Sequence, residues 1–496
     1  MEERDVDRGR PAGRPPVMKD GMWPRLVLRL TLSRRLPPAV RHVLDTLEEH
    51  GHEAVLVGGS VRDLFLGQLP KDWDVATQAT PTVVSGLFAQ TRPTGIKHGT
   101  VTVVEDGLAV EVTTYRVETT YSDYRHPDEV RFTRRLVDDL ARRDFTINAM
   151  ALTRRGDLAD PFAGRQDLEA RLIRAVGDPA ERFGEDPLRM MRAIRLAAQL
   201  GFALDRPTYE AIAPLAELIT HVSAERIREE FSRALLSRWP SFALELLSSS
   251  GLLRWFLPEL TEGVEVAQNE HHAYPVWEHA LLAVEEIEPE LPLRLAALFH
   301  DVGKPRTLTV SEGARHFFNH EAVGADLTAA ALRRLRYDRD TIERATRLVA
   351  HHMALHYTSD MTDSAVRRVF RRIGLENVPD LLAVRRADRL GSGTKTGELS
   401  RGTQLLLSRW RRILAEEARF GLRDLAIDGH VVMTEAGIEP GPLVGQILRT
   451  LFDEVEADRE KNNPEYLRAR VRELAAEFDR GQPEEPDPAA RNPETG

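Results

Sequence analysis

The sequence predicts an α+β protein, an α/β head followed by an all-α remainder, and three observations carry that prediction. A short apolar run, Glu53-Ala54-Val55-Leu56-Val57, ends in Gly58-Gly59, the pattern of a buried strand leaving its sheet through a turn. Residues 95–104 and 108–116 read as a hairpin in the same sheet. Beyond Asp160-Pro161-Phe162-Ala163-Gly164 the apolar positions recur at helical spacing almost completely.

The first turn is chemically specific. Glycines at 58 and 59 allow positive φ and close approach of the backbone to a ligand, and Ser60 is placed to cap a helix whose amide end attracts phosphate. Arg62 then falls in the first helical turn, near the anion. Lys71-Asp72-Trp73-Asp74 follows. On an extended strand Asp72 and Asp74 leave the same face about 7 Å apart at their Cα atoms, a spacing that lets two carboxylates share a hard cation such as Mg²⁺. Such a cation bridges triphosphate oxygens and lowers the pKa of an attacking hydroxyl. A polar turn is the plain alternative for either half alone; the order and short separation of the two halves favour transfer of a nucleotidyl group. In the hairpin that follows, Glu111 is either the acid completing the metal site from a neighbouring strand or a solvent-facing strand residue. Residues 118–135 are polar and turn-rich.

Downstream, a helix is predicted from Asp186 through Leu200, with Pro187 in an early turn where its missing amide does no harm. Three-residue spacing places Asp186 and Arg189 on one face, continued by Arg192 and Arg195. A carboxylate accepts from an exocyclic amine and a guanidinium donates to ring acceptors, so the pair can read the pairing edge of cytosine or adenine. A surface salt bridge is the alternative for that helix in isolation. Ser223 is expected to cap the next helix.

A second constellation begins near His271. His279, the pair His300-Asp301 and Asp388 are carried on predicted apolar helices, and imidazoles and carboxylates from separate helices can close around a divalent metal. His320 and His351 are candidates for a second metal.

Length and composition agree with a multidomain enzyme. The 496 residues exceed a single core, so about three or four domains are expected, and the 42% apolar content can fill them. Zero cysteines exclude disulfides and thiolate metal sites, which suits a cytoplasmic location. No apolar run reaches the roughly 18 to 20 residues needed to span a bilayer, so no membrane partner is expected. The Arg- and Pro-rich start lacks an apolar signal core and reads as a disordered extension, as does the acidic, Pro-rich 481–496. A net charge of −10 does not by itself suit an RNA binder, yet Arg-dense stretches at 171–195 and 226–238 can line one surface.

Leu56-Val57-Gly58-Gly59-Ser60-Val61-Arg62-Asp63 with Asp72-Trp73-Asp74 resembles the first motif of class II tRNA nucleotidyltransferases, the CCA-adding enzymes and bacterial poly(A) polymerases. Arg142-Arg143-Asp144-Phe145-Thr146-Ile147-Asn148-Ala149 is similar to the family's second motif, and Glu185-Asp186-Pro187-Leu188-Arg189 to its nucleotide-selecting motif. The His and Asp pattern resembles an HD-type phosphohydrolase domain. Residues 427–430, 438–445 and 462–465 resemble the C-terminal helical region that grips the tRNA elbow, and 118–135 the loop used in moving from C to A addition.

The resemblance implies a polymerase-beta-like nucleotidyltransferase head at 37–155, after an extension at 1–36. A helical neck at 156–265, an HD domain at 266–395, a tRNA-binding tail at 396–480 and an acidic terminus at 481–496 follow. It implies addition of CMP and AMP, from CTP and ATP, to the tRNA 3′ end. Asp72 and Asp74 would hold Mg²⁺, Gly59, Arg62 and Arg143 the triphosphate, and Asp186 and Arg189 the base, with Arg192 and Arg195 as further nucleotide contacts. A second divalent metal, of unassigned identity, would sit at His279, His300, Asp301 and Asp388, with hydrolysis of damaged RNA ends as a possible activity. Poly(A) synthesis, CC-only or A-only addition, and an HD phosphohydrolase with an inactive head are the competing expectations.

Overall fold

The structure, a computed structural model, describes residues 36–118, 130–270, 272–355, 360–417 and 421–480. The extension at 1–35, most of the expected C-to-A loop (119–129), His271 and the acidic terminus at 481–496 lie outside the described residues. Packing divides the chain into two units, residues up to 352 together with 380–397, and residues 353–379 together with 398 onward.

The first unit opens with helix α1, Pro38–Glu49, which buries Val40, Val43, Leu44 and Leu47. The strands follow as β1 (Ala54–Val57), β2 (Trp73–Thr77), β3 (Thr91–Gly95), β4 (Thr100–Glu105), β5 (Leu108–Thr114), β6 (Arg116–Glu118), β7 (Val130–Phe132), β8 (Ala151–Leu152) and β9 (Leu158–Ala159). Seven of them form one mixed sheet in the order β3-β4-β5-β2-β1-β8-β9, while β6 and β7 pair separately. All four residues of β1 are buried because the strand lies inside the sheet with antiparallel neighbours on both sides. The expected hairpin is β4–β5, and β5 runs parallel to β2 with Asp74 opposite Glu111 in register.

Helix α2 (Gly59–Phe65) leaves β1 directly, and α3 (Leu136–Ala141) precedes the second motif. Farther along lies α4 (Pro179–Glu185), capped by the Asp178 carboxylate, which accepts from the Ala180 amide at 2.8 Å. Next come α5 (Leu188–Leu200), stopped by Gly201 at φ 68°, and α6 (Ala224–Leu235). Ser223 does occupy the cap position of α6, but its side chain makes no capping bond. Helices α7 (Val276–Glu285), α8 (Leu291–Phe299), α9 (His320–Arg334), α10 (Arg339–His351) and α11 (Val378–Gly391) supply the second constellation.

The helical pattern beyond residue 164 is interrupted by a hairpin, Leu308–Ser311 with Ala314–Phe317. Its two turn residues, Glu312 at φ 51° and Gly313 at φ 79°, take the left-handed conformations that a tight hairpin turn needs. In the second unit Phe370 stacks on Trp410 at 4.4 Å between ring centroids. Helices Gly429–Ala436, Pro442–Ala457 and Pro464–Arg480 close their own core around Val432, Leu451 and Val471. No helix among the described residues is long and apolar enough to cross a membrane.

Candidate active site and metal centre

The strand β1 ends at Gly58, whose φ of 72° and ψ of −139° are open essentially to glycine. A Cβ added there would lie 3.0 Å from Arg143 Nη1 and 3.2 Å from Asp74 Oδ2, so the turn brings backbone, cation and carboxylate together. At Gly59, the glycine singled out from the sequence, an added Cβ meets nothing closer than Arg62 at 3.5 Å. The steric requirement therefore falls on Gly58. Ser60 does not cap α2, because Gly58 takes that position; the buried Ser60 hydroxyl donates back to the Val57 carbonyl at 2.8 Å.

Asp74 lies within β2 and is half-buried, whereas Asp72 is exposed just before the strand begins. Glu111 is exposed on β5 beside Asp74, so it both faces solvent and stands on the neighbouring strand at the site. Burial pushes the Asp74 carboxyl up to about 6; Glu111 and Asp72 add to that rise, and Arg143 and Arg62 oppose it. Three carboxylates thus load one rim of the sheet with negative charge and offer only oxygen donors, a set that suits a hard divalent cation.

The cations at this rim are held from behind. Asp139 of α3 is fully buried and accepts from Arg142 Nε at 3.0 Å and Nη2 at 2.8 Å, and from Arg143 Nη2 at 3.1 Å. Burial alone would raise its pKa, but the two guanidinium groups outweigh burial and keep it below the ordinary carboxylate value. Arg62 Nη1 donates to Asn148 Oδ1 at 2.9 Å, and its Nε and Nη2 donate to Asp63 Oδ1 at 2.9 and 2.7 Å. Asn148 donates in turn to Asp144, which accepts from Arg192 at 2.7 and 3.0 Å.

The residues expected to select the base are placed differently from a simple helix face. Asp186 precedes α5 in an extended conformation (φ −138°, ψ 99°), so it does not share a helical stripe with Arg189. Its Oδ1 accepts from the Leu188 amide at 3.1 Å, and its Oδ2 from Arg226 Nη2 at 2.8 Å. Arg189 donates to Glu185 at 2.8 Å and to the Arg142 carbonyl at 3.2 Å. The isolated Asp186–Arg189 salt bridge that spacing allowed is not formed. Arg192 bridges Asp144 and Glu230, and the buried Arg195 is held by Glu230 and by Gln199 at 2.6 Å. Arg226 and Glu230, both on α6, were not foreseen; their spacing of four on a helix crossing α5 is the signal that pairs them with these partners.

The second constellation does converge. His279 Nε2 lies 2.9 Å from His300 Nε2, 3.4 Å from Asp301 Oδ2 and 3.3 Å from Asp388 Oδ1. His300 is oriented by donating Nδ1–H to the Ala297 carbonyl at 2.7 Å, and the buried Lys304 ammonium donates to Asp301 Oδ2 at 2.6 Å. His272 joins His279 and Asp388 as a third ligand group. These separations match the ligand-to-ligand edges of about 2.9 to 3.4 Å expected around a divalent ion bonded at about 2.0 to 2.1 Å. The Nδ1 of His279 is buried without a hydrogen-bond partner.

His351 is corrected to His352. His352 is buried and lies with Asp301 and His320 in one ligand group, whereas His351 is half-buried and outside it. Helical phase explains the choice: His352 follows the buried Leu348 and Val349 by four and three residues, and His351 follows the exposed Arg347 by four.

Three family models match this chain: a poly A polymerase head domain at residues 54–174, a probable RNA- and SrmB-binding site of polymerase A at 201–263, and an HD domain at 270–392. The CCA-adding enzyme of Anoxybacillus flavithermus is 45% identical over 258 residues, 52% of this chain and 63% of that protein. The chain thus spans less than two thirds of that relative in the match. With the CCA-adding enzyme of Limosilactobacillus reuteri the identity is 35% over 450 residues, covering 88% of this chain and 96% of that one. The crystal structure of the Bacillus stearothermophilus CCA-adding enzyme in complex with CTP superposes with a TM-score of 0.58 at 30% identity, covering 90% of this chain and all of that one. The likeness to the Limosilactobacillus reuteri enzyme thus runs along nearly the whole length of that relative, and the chain belongs to the family of CCA-adding enzymes.

Proposed function

We propose that this chain adds CMP and AMP to the 3′ end of tRNA in the cytoplasm, using CTP and ATP, and that Asp72 and Asp74, with Glu111 beside them, hold Mg²⁺ for the transfer. The observation that carries this reading is Asp74: a half-buried carboxylate made costly to ionise by burial and by two neighbouring acids, at the mouth of a glycine turn. Bound there, Mg²⁺ would supply charge neutralisation at the triphosphate and a lowered pKa for the primer hydroxyl. The tRNA 3′ hydroxyl attacks the α-phosphate, the bond from that phosphorus to the bridging oxygen breaks, and pyrophosphate leaves. Arg62 and Arg143 stand beside the turn and bind the triphosphate, and Gly58 and Gly59 leave the backbone free for its approach. Asp186 accepts from the exocyclic amine of the base and Arg189 donates to its ring; Arg226 and Glu185 fix the two side chains in place.

The proposed limits are a head at 37–155, a neck at 156–265, an HD domain at 266–395 and a tail at 396–480. In the HD domain His279, His300, Asp301 and Asp388 hold a divalent metal, and the centre hydrolyses terminal or 2′,3′-cyclic phosphates of RNA ends.

Purified chain is incubated with tRNAs ending before CCA, after its first C and after its second C, with CTP and ATP separately and together. Two C additions from CTP and one terminal A from ATP are expected. ATP use on unrelated RNAs indicates poly(A) synthesis instead, and a product that stops at CC or needs CC indicates a partial enzyme. Unchanged product from an Asp72→Ala variant would remove the head from the reaction.

A further inference from the structure

We infer that the hairpin Leu308–Ser311 with Ala314–Phe317 is a nucleoside subsite: it holds the terminal base of a single-stranded RNA end whose phosphate lies at the histidine centre, and Arg315 takes the next phosphate along the strand. The inference rests on the reading that this centre hydrolyses phosphates of RNA ends, and it adds the surface that recognises the rest of the substrate.

The hairpin is spliced between residues of the centre. The chain leaves Asp301 and Lys304, turns at Glu312-Gly313 and returns at His320. Its base is pinned on both arms. Arg306 donates to Glu262 at 2.8 and 2.7 Å, and a Cβ added at Gly303 would collide with the His320 carbonyl. Residues directly opposite one another share a face, so the register puts Leu308 with Phe317 and Val310 with Arg315 on one side, and Thr309 with His316 on the other. The first side is the one turned to the centre: the Lys304 ammonium, which donates to Asp301 Oδ2 at 2.6 Å, lies 5.6 Å from the centre of the Phe317 ring.

From Phe317 this side runs outward as an apolar floor that folding does not use. Leu308 is 39% exposed and Val310 66%. A two-stranded hairpin is marginal by itself, and apolar side chains left in water add little to it, so their placement points to a ligand. Arg315 is exposed opposite Val310, and its guanidinium makes no ion pair or hydrogen bond among the described residues. The single acid of the hairpin, Glu312, sits at the turn. With a rise of about 3.4 Å per residue, Arg315 stands about 7 Å beyond Phe317, a distance that one nucleotide bridges.

An apolar floor that starts at a phosphate-handling centre and ends at an unpaired cation is complementary to a base carried between two phosphates. Apolar side chains under the base and a cation on the backbone are how single strands are held without sequence readout. Arg315 alone on this side carries a side-chain hydrogen-bonding group, so the subsite accepts any base. A protein partner does not fit it: a stable interface buries about 800 Å² on each side, and only Phe317, Leu308 and Val310 are offered here.

The test uses the full-length chain with Mn²⁺ and three substrates that share one scissile bond: a methyl riboside 2′,3′-cyclic phosphate, which lacks a base, 2′,3′-cyclic AMP, and a diadenylate ending in the same cyclic phosphate. Adding the base is expected to raise kcat/KM about tenfold or more, through KM. The second phosphate should raise it again. Leu308→Ser with Val310→Ser should bring the ratio of cyclic AMP to the base-free substrate down to about 1. Arg315→Ala should remove the further gain of the diadenylate. Phe318, stacked on His316 with ring centroids 5.4 Å apart, belongs to the other side, and Phe318→Ser should keep both ratios. Equal kcat/KM for the three substrates in the parent overturns the inference and leaves the hydrolytic reading standing; hydrolysis of none of them overturns both. Ratios lost in Phe318→Ser but kept in the Leu308 and Val310 variant also overturn it. The base preference is read first on the parent, so a folding defect in a variant does not protect the proposal.

Discussion

Asp74 sets stability against chemistry. Its carboxyl moves from an ordinary 3.8 to about 6 in the folded chain, mainly through burial, so the folded state binds the proton more tightly than the unfolded state does. The ionised side chain therefore costs stability above about pH 6, and that cost fades as pH falls toward 4. A shift of this size corresponds to at most about 3 kcal/mol. In metal-free urea denaturation at pH 7.5, Asp74→Asn is expected to be more stable than the parent by about 1 to 3 kcal/mol, with a flatter pH dependence between 4 and 6.5. The same variant should lose at least about a thousandfold in CMP addition, a loss of transition-state charge stabilisation. Equal stability of the two proteins across that range would contradict the burial argument. Gly58 makes a second point at this scale. Gly58→Ala forces a left-handed φ and presses on Arg143 and Asp74, so a loss of about 1 to 3 kcal/mol and a sharp fall in addition are expected. Gly59→Ala, at the start of α2, should fall within about 1 kcal/mol of the parent. Thermal melts of the two variants compare them directly.

Helix α3 is short, yet it fixes the second motif. Its buried Asp139 is the shared acceptor of the half-buried Arg142 and Arg143, and Asp139→Asn removes the carboxylate charge between the two guanidinium groups. The expected cost is about 3 kcal/mol or more, with a raised KM for CTP as Arg143 loses its fixed position. A stability unchanged in chemical denaturation would show that the pair is solvated instead. Element types were largely legible in the sequence. The apolar run at β1, the hairpin β4–β5 and the helix α5 just after Pro187 each follow from local rules. What escaped were contacts made across elements. Spacing placed Asp186 on a helix, but the backbone delays that helix by two residues and gives Asp186 to Arg226 on α6. Adjacent histidines at 351 and 352 needed the phase of α10, which the buried Leu348 and Val349 carry. The hairpin at 308–317 was missed because its strands are mostly exposed and carry little apolar alternation.

Across the whole molecule, the order of motifs was readable because each is contiguous in sequence, while the packing units are not. Residues 380–397 belong with the first unit and carry Asp388 into the histidine centre, although 353–379 pack with the second. Charge is likewise a distributed property. With a net charge of −10, the proposed tRNA binding requires local arginine density, so affinity should fall at least about tenfold between 50 and 200 mM salt. A salt-independent affinity, measured by filter binding, would place recognition in uncharged contacts instead. The most direct measurement is the anomalous scattering of crystals soaked with CTP and Mn²⁺. The account predicts an ion between the carboxylates of Asp72 and Asp74, touching the triphosphate. A triphosphate bound at the glycine turn with no ion between those two side chains would contradict it.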